Sequence, residues 1–265
     1  MSLATGLPSD FTVPLLEVDG VTLQYKTPHH LVTATYRVSF NVFPSDRFVL
    51  LGPSGCGKST LLNLLAGFEA PSGGRLLFDG SGVAKPGPDR AVVFQEAALL
   101  PWLTVWQNVV FGPQVQGLSR SVYEPRATEM IRLVGLDGFR DALPAQLSGG
   151  MRQRVGIARA LVMDPKALLM DEPFGALDAQ TRLTMQQLLL DVWQRLRTTV
   201  LFVTHDIDEA ILLADRVLVM SARPGRITRD IPITLRRPRS VDDLTNPDFI
   251  RFKATIMADM RASGH

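Results

Sequence analysis

The segment Gly52-Pro53-Ser54-Gly55-Cys56-Gly57-Lys58-Ser59-Thr60 combines glycines, a lysine and hydroxyls at a spacing suited to phosphate. The glycines let the backbone turn its N–H groups inward around a polyphosphate, and the helix that follows adds its dipole to the attraction. Lys58 is then placed to reach the β- and γ-phosphates, and the Ser59 hydroxyl to ligate Mg2+. Such a loop needs a strand entering and a helix leaving. The apolar run Phe48–Leu51 and the helical spacing of Ser59–Ala66 supply both. Cys56 inside the loop is either a small residue that fits or a thiol whose alkylation would block the phosphate site.

A second segment, LSGGMRQR at Leu147–Arg154, presents Ser148, Gly149 and Gly150 at a helix start. Its free N–H groups and hydroxyl suit a further face of the γ-phosphate. LLMDEP at Leu168–Pro173 closes an apolar strand with adjacent carboxylates, Asp171 and Glu172. Because a strand alternates its sides, these two cannot do the same job.

The elements that must hold these groups read as an α/β chain. Leu15–Tyr25 and Thr35–Phe43 alternate apolar and polar residues, as half-buried antiparallel strands do. Ala91–Phe94, Ala167–Met170, Val200–Thr204 and Arg216–Met220 are short apolar runs, the pattern of strands covered on both faces of a parallel sheet. Helical spacing runs over Asp178–Leu196. Residues from about 96 to 163 read as an inserted helical subdomain, residues 1–13 as a mobile tail, and 14–265 as a single domain. From about 221 onward a short extension is expected, with a strand pair and a last helix near Pro247–Met260.

Composition agrees with one large α/β domain. Of 265 residues 46% are apolar, which supplies a sizeable core, and the formal net charge is only +2. The basic excess is local, with Arg223, Arg226, Arg229, Arg236, Arg237 and Arg239 close together, which reads as a solvated surface or as a contact with a subunit, lipid or nucleic acid. One cysteine excludes an internal disulfide and suits a reducing compartment. The N-terminal residues do not read as a signal peptide, and no stretch reaches the roughly 18 apolar residues of a membrane span. A soluble chain is expected, with any membrane role acting through partners.

Taken in order, GPSGCGKST, LSGG, LLMDEP and the THD at Thr204–Asp206 resemble the ATP-binding subunit of an ABC transporter, over residues of about 15–260. The resemblance implies a P-loop NTPase (ABC ATPase) core with a parallel sheet, an N-terminal antiparallel β subdomain and an inserted helical subdomain. It implies ATP hydrolysis with Mg2+, in which Asp171 organises the metal and Glu172 is the general base. Gln95, directly after the strand AVVF, matches the family's Q-loop glutamine, which senses metal and water. His205 matches the switch histidine at the γ-phosphate, and Asp178 in GALD the aspartate that crosses to a partner subunit. Tyr25 matches the aromatic residue that stacks on adenine, although KTPHH lengthens the connection beyond the family's usual length, and Tyr36 competes for the role.

In the family, the LSGG segment closes on the ATP of a second subunit, so two copies arranged head to tail form two composite sites. The phrases LLPWLTVWQNVVFG, DEPFGALDAQTR and SARPGRI look most like the nitrate, sulfonate and taurine importers. That implies transmembrane permease partners, an extracytoplasmic solute-binding protein acting indirectly, and a peripheral position on the cytoplasmic face of the inner membrane. Leu99, Leu100, Trp102 and Trp106 would supply a dock for the permease unless they are buried in the chain's own core. The competing reading is a soluble ABC ATPase acting on nucleic acid through the C-terminal arginines. It lacks the long coiled coil or second ATPase domain of such proteins, and no nucleic-acid partner is expected.

Overall fold

The computed structural model describes residues 13–262 except Thr27 and His29; the tail expected over residues 1–13 lies outside the described residues apart from Val13. In chain order the elements are β1 (Leu16–Lys26), β2 (Leu31–Val42), β3 (Arg47–Leu51), α1 (Lys58–Ala66), β4 (Gly73–Phe78), β5 (Ser81–Gly82) and β6 (Arg90–Val93). Then come α2 (Val105–Val115), α3 (Arg120–Leu133), α4 (Gly149–Leu161), β7 (Ala167–Asp171), α5 (Ala179–Arg195), β8 (Thr199–Thr204), α6 (Ile207–Leu213), β9 (Arg216–Met220), β10 (Ile227–Pro232) and α7 (Pro247–Ala262).

Two sheets form. The first is antiparallel, in the order β2-β1-β4-β5; the second runs β10-β9-β3-β8-β7-β6, parallel except for β10 at its edge. Alternation along β3 explains the layering. Phe48 and Leu50 face a core shared with α1 and the antiparallel sheet, whereas Val49 and Leu51 face a core shared with the helices from α2 to α7. A strand covered on both faces has no solvent side, which is why these strands read as unbroken apolar runs.

Because the parallel strands run in one direction, their carboxyl ends lie along one edge of the sheet. The loops after β3, β6, β7, β8 and β9 therefore emerge together, where ligands of open α/β sheets bind. Helices α2, α3 and α4 occupy the stretch between β6 and β7 and pack on one another.

Three expectations need correction. The second strand, expected over Thr35–Phe43, begins four residues earlier, at Leu31, because Lys26 of β1 already pairs with Leu31. The strand pair expected after residue 225 is a single strand, β10, pairing antiparallel with β9; the chain beyond it turns to α7 with only a short 3-10 segment between. Finally, most of the clustered arginines are tied to the protein. Arg239 is 2% exposed and donates to the carbonyls of Ile211, Leu212, Ile233 and Leu235. Burial pulls its pKa down to about 10. Arg237 pairs with Asp215, Arg229 with Asp259, and Arg226 stacks on the Tyr36 ring at 4.5 Å.

Candidate functional site

Helix α1 opens at Gly57, in a left-handed conformation (φ 95°) with no side-chain cap. The N–H groups of its first turn, Lys58 to Thr60, therefore point toward the cavity without an intrahelical partner. Gly55, also at positive φ (76°), has open space where a β-carbon would go, apart from Arg223 at 3.9 Å. Gly52 does not: a side chain there would meet the Cys56 sulfur at 2.8 Å and the Met220 carbonyl at 2.9 Å. Gly57 is as tightly packed, with the Ala34 carbonyl 2.9 Å from where its side chain would begin, so Gly52 and Gly57 are needed for packing and Gly55 for its backbone shape.

These groups line a cavity of about 470 Å3 together with Tyr25, Val32, Thr33, Ala34, Gln95, Asp171, Glu172 and Arg223. Lys58 is 4% exposed and its ammonium donates to the carbonyls of Gly52 (2.8 Å) and Pro53 (3.0 Å), with the Glu172 carboxylate 3.5 Å away. Ser59 Oγ donates to Asp171 Oδ1 at 2.9 Å. Burial raises the pKa of Asp171, the Ser59 hydrogen bond offsets part of that, and neighbouring Glu172 adds to it. A carboxylate so placed gains from any cation bound beside it.

Glu172 sits at φ 41°, a left-handed conformation that costs a non-glycine residue about 1–3 kcal/mol. Its N–H is held by the Val203 carbonyl at 3.0 Å, and its Oε2 lies 2.9 Å from His205 Nδ1. The strain aims the carboxylate back over the loop, toward both Lys58 and His205. His205 itself is about half exposed and is held by its neighbours: Thr204 Oγ1 donates to buried Glu209 at 2.6 Å, and Asp206 caps α6 through the N–H groups of Asp208 and Glu209.

Not every expected residue gathers here. Ser148, Gly149, Gly150 and Asp178 lie outside this cavity. Ser148 caps α4, accepting from the Met151 N–H at 3.2 Å, and Asp178 caps α5, accepting from the Thr181 N–H at 3.0 Å. Gly149 instead lines a neighbouring groove with Gln95, Leu99, Arg152, Pro173 and Leu177. Gln95 belongs to both spaces.

Of the two aromatic candidates, Tyr25 lines the cavity and Tyr36 does not. Tyr25 donates its hydroxyl to Glu69 at 2.6 Å and remains 41% exposed. In the apolar segment after Gln95, Trp102 is 70% exposed, whereas Leu99 and Trp106 are partly buried against the helical core and Trp106 carries the Arg140 guanidinium.

Two links were missed from sequence. Gln153 and Arg159 of α4 reach back to the loop after β6, donating to the carbonyls of Phe94 (3.0 Å), Ala97 (2.9 Å) and Ala98 (2.9 Å). A glutamine and an arginine inside LSGGMRQRVGIARAL give no sign of such a tie, because its acceptors are main-chain atoms some 60 positions upstream. The other is Arg223, which the chain after β9 brings to the cavity.

Cys56 is 1% exposed, and burial raises its thiol pKa. Its reading as a reactive thiol is therefore not supported. We expect Cys56 in the folded chain to resist iodoacetamide at neutral pH and to react once the chain is unfolded; rapid native labelling, followed by mass spectrometry, would contradict its placement under the loop.

A profile for the family described as "ABC transporter" matches residues 35–175. The chain belongs to the ABC transporter family. A taurine import ATP-binding protein, TauB, of Pseudomonas syringae is 47% identical over 253 residues, covering 94% of this chain and 96% of that protein. Among solved structures, a dimeric ATP-binding cassette in a post-hydrolysis state, bound to ADP and Pi, superimposes with a TM-score of 0.72 at 31% identity, covering 83% of this chain and all of that one. Clostridium perfringens cbiO1, part of the cbiONQ transporter complex, gives 0.76 at 28% identity, covering 92% and 95%. The cavity is thus in an ABC ATPase, and ATP hydrolysis is its activity. Among the described residues of this ABC ATPase, no helix is long and apolar enough to cross a membrane.

Proposed function

We propose that this ABC ATPase powers a bacterial importer for a small anion such as taurine, another sulfonate or nitrate, working as a pair of copies on the cytoplasmic face of the inner membrane. The observation that carries the enzymatic part is the convergence of Lys58, Ser59, Asp171 and Glu172 on one cavity, with His205 against Glu172. The anion and the importer class rest on similarity to the taurine import protein. Permease subunits are inferred partners, and an external solute receptor would act only through them.

The cavity suits a nucleoside triphosphate with Mg2+. The loop and first-turn N–H groups would hold the phosphates, and Lys58 would exchange its loop carbonyls for phosphate oxygens. Ser59 and Asp171, with Gln95 at the mouth, would hold the metal, which keeps several waters of its own and so needs few protein donors. When bound, it neutralises charge on the phosphates. Tyr25 offers its ring to adenine. Glu172 is the base: a carboxylate oriented by His205 takes the proton from the attacking water as the water oxygen bonds to the γ-phosphorus and the bond from that phosphorus to the β-phosphate oxygen breaks, releasing ADP and phosphate.

Ser148, with Gly149 and Gly150 following it at the start of α4, lies outside the cavity lined by its own chain's phosphate loop. In a head-to-tail pair it would complete the partner's site, as would Asp178. The exposed Trp102 suits a permease contact. The nucleic-acid reading is not favoured, because the arginines that motivated it mostly serve internal contacts.

Shared sites are testable by mixing. Lys58→Ala and Ser148→Arg subunits should each be inactive alone, yet their mixture should regain ATPase activity through the one interface that keeps both an intact loop and an intact cap. A mixture as dead as its parts would sink the head-to-tail arrangement. Copurification with the permease, followed by taurine uptake in reconstituted vesicles, tests the transport reading.

A further inference from the structure

The loop from Ser221 to Arg226 belongs to none of the motifs above, yet it is built into the phosphate loop. Gly225 donates its N–H to the Ala34 carbonyl and accepts from the Tyr36 N–H, both at 2.9 Å, while lying so close to Cys56 that a β-carbon on it would overlap the Cys56 carbonyl oxygen. Two residues earlier, Arg223 is exposed at a φ of 28°, a conformation that costs a non-glycine residue about 1–3 kcal/mol. Its guanidinium lies over the cavity, with Nη2 3.9 Å from the space beside Gly55. Arg226, Arg229, Arg237 and Arg239 all engage groups of the protein. Arg223 has no ion pair or hydrogen bond among the described residues.

We propose that Arg223 is a nucleotide-binding residue, its guanidinium engaging the phosphate chain at the Gly55 end of the loop. The proposal deepens the ATP-binding reading given above and rests on it. A strained, anchored backbone that carries an unpaired fork of donors over an anion cradle has a use only when the anion arrives. A planar guanidinium matches phosphate oxygens two at a time, which a lysine ammonium cannot do, and the loop's own lysine is turned into the main chain. The position also splits the labour: Lys58 approaches from the floor of the cradle and Arg223 from its rim. Because Gly225 locks the Arg223 loop to both the phosphate loop and β2, binding at the rim would be sensed by the strand leading from Tyr25's hairpin.

Isothermal titration of ATP and ADP into the full chain tests this. R223Q is expected to bind both nucleotides about tenfold more weakly than wild type, the lower end of what a hydrogen bond to a charged group contributes. R223K should recover part of that loss, and R226Q, whose guanidinium lies on Tyr36, should bind like wild type. The thermal midpoint of the nucleotide-free chain should not change in R223Q, since the side chain is exposed and makes no hydrogen bond or ion pair among the described residues. R223Q affinity equal to wild type, or an equal loss in R226Q, would overturn the assignment while leaving the ATP site intact. A wild-type chain that binds neither nucleotide would overturn the ATP site and this assignment together.

Discussion

Glu172→Gln is expected to lower ATP turnover by about 10²–10⁴-fold, the usual contribution of a general base, while ATP still binds and the loaded pair of subunits accumulates. The substitution preserves shape. A glutamine can keep the contact with His205 Nδ1, now at 2.9 Å, through one tautomer, and can keep the strained φ of 41°, because neither depends on charge. What it cannot do is accept a proton. Removing the negative charge 3.5 Å from Lys58 also leaves that ammonium freer to move onto phosphate, so affinity should be held or raised. Single-turnover hydrolysis and size-exclusion chromatography with ATP check the two halves. Wild-type turnover in the variant would mean that another group takes the proton.

Gly225→Ala should destabilise the chain by about 3 kcal/mol and weaken ATP binding with it, although residue 225 is in no nucleotide motif. The added methyl has nowhere to go. It would overlap the Cys56 carbonyl and meet the Met220 side chain at 3.1 Å and the Ala34 carbonyl at 3.2 Å. Main-chain atoms cannot rotate away as a side chain can, so either β2 or the phosphate loop must shift. A shift at Cys56 propagates to the next residues, Gly57 and Lys58, whose N–H groups form the cradle. Thermal unfolding and ATP titration on the same preparation should fall together; a variant with wild-type values for both would show that the two loops are not locked.

The chemistry was legible because phosphate chemistry depends on local order. Lys58 and Ser59 stand on one turn of helix, and Asp171 and Glu172 at the end of one strand, so neighbours in sequence stay neighbours in space. Gln95, His205 and Tyr25 were harder, since each is a lone residue whose meaning comes from the strand beside it and, for these three, from a family resemblance. Tyr36 shows the limit: both tyrosines lie within alternating strands, and only the hairpin register, with Tyr25 opposite Val32, sends one ring to the cavity and the other under Arg226. The strands β4 and β5 were not legible, because Gly73, Gly74 and Arg75 begin β4 without alternation and pairing with β1 is what extends them. The arginine cluster misled for a related reason. Charge along a sequence is a sum over side chains, while Arg239 is spent on five main-chain carbonyls brought together by α6 and the chain after β10.

Residue order alone was enough to establish a parallel α/β core, a phosphate cradle, a carboxylate pair and a serine-glycine helix cap, since period, dihedral freedom and charge are properties of short stretches. Folding decided which distant stretches meet. The common direction of β3, β6, β7, β8 and β9 brings five loops to one edge, the strain at Glu172 turns it to His205, and the contact of Gly225 with Cys56 brings Arg223 to the rim. Those contacts depend on close packing among backbones separated by up to 170 residues, and no local pattern in the chain records them.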